Sequence, residues 1–169
     1  MAANTSLQRT RRQSLRSFLL AAELDIVRRR MIKAVAVGLA VDVGGSLVAG
    51  SYITSFGALA AVVSGGPEAL LATSNHSLAP LSIRISEFVV GTAFSLLGGY
   101  VAGKLHVASP LRAGAGVGIA TCIVALPFCL LPETAAQGAA WNALALAAAF
   151  VAATVGGALA HLTESPRAA

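Results

Sequence analysis

One acid stands inside an otherwise apolar run. Asp42 lies near the middle of residues 34–53, flanked by Val41 and Val43, and the nearest basic residue in sequence is Lys33. A carboxylate at the centre of a membrane helix costs on the order of 2.5–3.5 kcal/mol on translocon scales, so an acid there is expected to carry its proton or to meet a partner. Two kinds of role fit. Asp42 handles a proton or a cation, or makes a polar contact with a partner protein; alternatively it makes a structural hydrogen bond to a backbone carbonyl, to Ser95 or to Thr92.

The other reactive residues are less suggestive. Arg84 and Glu87 are three apart, which suits a local ion pair or the lining of an outer vestibule. His106 and His161 fall at one expected membrane boundary without carboxylate or thiolate company for a metal, and His76 sits alone in its segment. Cys122 and Cys129, seven apart, read as small buried apolar side chains. Nucleophile elbow, Walker loop and zinc-protease patterns are absent. The glycine-rich run at 113–118 follows no strand, so helix packing explains it better than dinucleotide binding. The sequence therefore predicts no catalytic residue, no metal and no cofactor.

These residues need elements to position them, and composition indicates which. Of the 169 residues, 56% are apolar and 11% charged, with a mean hydropathy of +0.78. Soluble domains carry about 25% charged residues, so disorder, a nucleic-acid module and an ordinary soluble enzyme are disfavoured. An all-α integral membrane bundle of four transmembrane helices is expected, with spans at about 34–53, 85–103, 113–131 and 141–162. Breakers separate them: Gly65-Gly66-Pro67 and Pro80, Ser109-Pro110, and Pro132-Glu133. Pro127 should kink the third span near its end. Residues 54–83 read as a long external connection with two short apolar stretches, Phe56 to Val63 and Ala69 to Ala72, the alternative being a re-entrant segment. Trp141, Tyr52 and Tyr100 suit interfacial anchors.

The net charge of +5 is concentrated at one end of the chain. Eight of the twelve Lys and Arg precede residue 34; Lys104, Arg112 and Arg167 join them on one side if the termini are cytoplasmic, leaving Arg84 alone outside. The positive-inside rule thus predicts both termini in the cytoplasm, with 163–169 a short cytoplasmic tail. Within the basic segment 1–33, Leu15, Phe18, Leu19, Ala22 and Ile26 share one helical face, the pattern of an amphipathic helix on anionic lipid. The location implied is a bacterial inner membrane. The Arg- and Ser-rich, acid-free first 22 residues also suit a mitochondrial transit peptide and hence, as a second choice, the mitochondrial inner membrane.

Small residues recur every fourth position in each span, as close helix approach requires. The first carries Gly38, Asp42, Ser46 and Gly50; the second Gly91, Ser95, Gly99 and Gly103. The third has Gly114 and Gly118, followed by Cys122, and the fourth has Ala145, Ala149, Ala153 and Gly157. The run Gly98-Gly99-Tyr100-Val101-Ala102-Gly103-Lys104, with Asp42-Val43-Gly44-Gly45-Ser46, resembles small uncharacterised bacterial membrane proteins with four spans and glycine-rich helix seams. That resemblance implies integral membrane location. The fluoride-channel family has similar size and span count, but its polar and Phe-rich signature is absent. The expected function is that of a non-enzymatic membrane protein that self-associates, or serves as an accessory subunit of another membrane protein, through its seams. The alternative is a small channel or transporter handling protons or cations through Asp42.

Overall fold

A computed structural model describes residues 2–65, 81–132 and 138–163, with the side chains of 2–24, 61, 64 and 65 left aside. The described residues form four long helices: α1 (Ala2–Gly65), α2 (Leu81–Leu105), α3 (Pro110–Cys129) and α4 (Ala139–Leu162). Each contains a stretch long and apolar enough to cross a membrane: Asp25–Ala60 in α1, and the whole of α2, α3 and α4. The chain is an all-α, multi-pass membrane protein.

The chain divides into two compact units at Lys33. In the first, Arg29 Nε donates to Asp25 Oδ2 at 2.9 Å, an exposed pair one turn apart. Such pairs contribute little to stability. Of the apolar face expected there, Ile26 is exposed, and Leu15, Phe18, Leu19 and Ala22 lie outside the described side chains.

The second unit, from Ala34, is an up-and-down bundle. Gly38 meets Gly98 and Thr54 meets Glu87, so α1 and α2 run antiparallel. Gly118 meets Phe150 and Gly157 meets Pro110, so α3 and α4 do the same. Across the hairpins, α2 runs parallel to α4, pairing Phe88 with Trp141 and Gly99 with Ala153. The α2–α3 joint is tight: the His106 N–H donates to Ala102 O at 3.0 Å and the Ser109 N–H to His106 O at 3.1 Å. Pro110 then opens α3, where its missing N–H costs nothing. Gly138, at φ 98, supplies the left-handed turn into α4 that a side chain would resist.

The bundle is apolar outside and small inside. Its core is Ala102, Ala113, Val117 and Ala153, with Val35 packed against it. The largest fully buried side chains are Val117 and Asp42. Large apolar residues point outward instead, including Leu47, Phe56 and Ile123, each about two-thirds exposed. Water would make that arrangement insoluble, whereas hydrocarbon solvates it and leaves close backbone packing to hold the helices together.

Two expectations are corrected. The helix of the first span does not end at 53: α1 continues to Gly65, so Phe56 to Val63 is helix and not part of a loop. The polar residues after Leu47 do not break it because their hydroxyls are satisfied within it. Ser51 donates to Leu47 O, Thr54 to Gly50 O and Ser55 to Ser51 O, at 2.7–2.9 Å. The stretch Ala69 to Ala72 lies outside the described residues. Second, Gly50 and Gly91 are not points of close helix approach, since a Cβ on either would meet no atom within 4 Å. The seam parts at their level. Pro127 lies inside α3, which ends two residues later at Cys129.

A candidate cation or proton site

The small-residue rows pack one half of the bundle and separate in the other. Toward the α2–α3 joint the helices touch backbone to backbone. A Cβ on Gly38 would lie 2.6 Å from Gly98 O, one on Gly114 2.6 Å from Ala153 O, and one on Gly103 2.6 Å from the Ala160 methyl. At Gly99 and Gly156 it would overlap the carbonyls of Ala153 and Leu96 outright. One or two turns further along, the same rows carry Ser46, Gly91, Ala145 and Ala149, and these line a cavity of about 430 Å³ to which all four helices contribute.

Asp42 sits where the closed half meets the cavity. It is 2% exposed. Ser95 Oγ donates to its Oδ1 at 2.9 Å, and Thr121 Oγ1 donates to its Oδ2. The carboxylate is thus held from α2 and α3 at once, and a Cβ on Gly98 would lie 3.0 Å from its own Cβ. Ser95 was among the expected partners. Thr92 was another, but it lines the cavity while its hydroxyl donates to Phe88 O. Thr121 was missed. Its signal is that it is the one hydroxyl side chain between Ala113 and Leu131, three residues after Gly118.

The cavity extends from Asp42 to the level of Glu87 and Phe128. Along α2, Ser95 to Glu87 is eight residues, or about 12 Å at 1.5 Å per residue. Its walls are Val43, Leu47, Phe88, Val124, Ala125 and Phe128, and no Lys, Arg or His lines it. Glu87 Oε1 accepts from Thr54 Oγ1 at 3.4 Å. It also borders a second hollow of about 440 Å³ that shares Ser46 and Leu47 and adds the hydroxyls of Ser51, Thr54 and Ser55. Two carboxylates therefore mark the two ends of the main cavity, and among the described residues neither forms an ion pair.

Arg84 lies over the Trp141 ring, 4.9 Å from its centroid, and Phe88 meets the same ring at 5.6 Å. This stack ties α2 to α4 at the first turn of α4, where Trp141 is half-buried. Tyr52 is exposed, and Tyr100 lies 3.4 Å from the Thr163 hydroxyl with Lys104 Nζ 5.7 Å from its ring. His106 is buried in the α2–α3 joint and His161 is exposed. Among the described residues no three His, Cys, Asp or Glu gather to hold a metal. His76 lies outside the described residues. Both cysteines are free thiols, Cys122 donating to Leu146 O at 3.6 Å.

Chemically, this is a carboxyl group under an apolar wall, bonded by two hydroxyls. A hydroxyl both donates and accepts, so Ser95 and Thr121 satisfy Asp42 as an anion or as an acid. Comparisons with family models, with curated proteins and with solved structures each find no match to this chain.

Proposed function

We propose that the protein is a small channel or transporter in which Asp42 handles a proton or a cation. One observation carries this reading: the buried Asp42 carboxylate borders an intramembrane cavity that its own helices hold open. An acid kept only as a structural bond needs no open volume beside it. Its two hydroxyl partners accommodate either protonation state, as a group that gains and loses a proton or counter-ion requires. The self-association or accessory-subunit reading has less support, because Gly38, Gly99, Gly103 and Gly157 are occupied by the chain's own helices and offer no seam to a partner.

The cation distribution along the sequence supports a bacterial inner membrane with both termini cytoplasmic, and the cavity then lies in the outer half. Exposed Arg28, Arg29, Arg30 and Lys33 support contact with anionic lipid, worth about 1 kcal/mol per residue near such a surface. No catalytic role is proposed.

The test is ion flux in proteoliposomes loaded with a pH-sensitive dye and energised by a potassium diffusion potential, run with and without sodium. Asp42→Asn preserves size and hydrogen bonding, since Asn can accept from one hydroxyl and donate to the other. Its helix content and melting temperature are expected to match the parent, while initial flux falls at least about tenfold, as loss of an intramembrane charge implies. Equal flux from the two proteins would remove Asp42 from the function.

A further inference from the structure

We infer that the cavity takes a monovalent organic cation with an apolar body, an amine or quaternary ammonium group, seating its charge at Asp42. This rests on the transport reading above and names its substrate class.

The walls and the charges point to one chemistry. A bare proton or alkali ion uses oxygen atoms only and has no use for about 430 Å³ of largely aliphatic and aromatic wall. A hard divalent ion takes six to eight oxygens in the case of calcium, more than Asp42, Ser95 and Thr121 supply at the cavity floor. An anion meets two carboxylates and no cation in the lining. A neutral apolar molecule would suit the walls but makes no use of the carboxyl groups at the two ends of the cavity.

A cation with an apolar body satisfies every surface. Its charge pairs with Asp42, its hydrocarbon is desolvated by the Val and Ala walls, and the aromatic lining residues Phe88 and Phe128 suit a cation as partners. The volume falls within the range of about 300–1,000 Å³ usual for small-molecule sites. Glu87, at the other end and bordering the hydroxyl-lined hollow, gives such a cation a first carboxylate before it reaches Asp42.

The experiment uses the full chain in nanodiscs of neutral lipid. The probes are benzyltrimethylammonium and neopentylbenzene, its neutral isostere with carbon in place of nitrogen. Binding is read by calorimetry and by the fluorescence of Trp141, the single tryptophan, whose ring contacts Phe88. Saturable binding of the cation is expected, at least about tenfold tighter than the isostere. Asp42→Asn should erase that preference, Asp42→Glu should keep it, and Glu87→Gln should weaken binding about threefold. Equal affinity for the two probes, or a preference unchanged in Asp42→Asn, overturns the inference. If the cation does not bind but Asp42-dependent proton or alkali-ion flux persists, this substrate class is wrong and the transport reading stands. If both are absent, both fail.

Discussion

Gly99→Val is expected to prevent the four-helix unit from assembling. The first added carbon would already lie 1.9 Å from the Ala153 carbonyl oxygen of α4, and the atoms it meets are backbone. No rotamer change relieves such a clash, so α2 and α4 would have to separate. Separation also pulls Gly103 from Gly157 and Gly156 from Leu96, because all these contacts lie along one seam. Overpacking of an ordinary core costs about 1–3 kcal/mol, and a clash against backbone at a seam without compensating large side chains falls at or above that upper end. Thermal unfolding in mild detergent measures it, with Gly50→Ala as the matched control. That alanine meets no atom within 4 Å and replaces a poorer helix former, so stability should hold or rise by up to about 1 kcal/mol. Two glycine substitutions in helices of the same bundle should thus act in opposite directions.

Gly91→Leu is expected to do the reverse: leave the fold intact and stop the function. Gly91 faces the cavity between the levels of Asp42 and Glu87, and a Cβ there has open space. A leucine side chain would project into that volume and add apolar contact where there is none. Filling a void without forcing strained rotamers stabilises, so the melting temperature should not fall. Flux, and binding of a cationic probe, should drop at least about tenfold, since the route from Glu87 to Asp42 is obstructed and the seat for an apolar body is taken. If flux continues at the parent rate, the cavity is not the pathway. A purely structural Asp42 makes the opposite forecast, with no function lost.

Much of this was legible in the chain. The four spans follow from hydrophobic length alone, and the fourfold spacing of small residues gives the seams at Gly38, Gly99, Gly103 and Gly157. Asp42 stands out because an acid in an apolar run needs a reason, and Ser95 was readable as its partner from the facing row. What was not legible is where a seam stops. Gly50 and Gly91 look like Gly38 and Gly99 in sequence, yet they border open volume, because spacing specifies a face and says nothing of how far apart two faces stand. The end of α1 was hidden for a different reason. Ser51, Thr54 and Ser55 lower local hydropathy and imitate a loop, while each hydroxyl bonds back to the preceding turn. Thr121 is hidden because the third small-residue row runs through Gly114, Gly118 and Cys122, one position away on a neighbouring face.

The central claim is that the group at position 42 is reachable through the cavity. The most direct measurement replaces it with a thiol: Asp42→Cys, in a chain whose two native cysteines are changed to alanine, treated with a small cationic thiosulfonate reagent in sealed vesicles. Modification is expected, slowed by benzyltrimethylammonium and abolished by adding Gly91→Leu. A thiol that stays unmodified in the folded protein, and reacts only after denaturation, would contradict the claim and leave Asp42 a sealed structural acid.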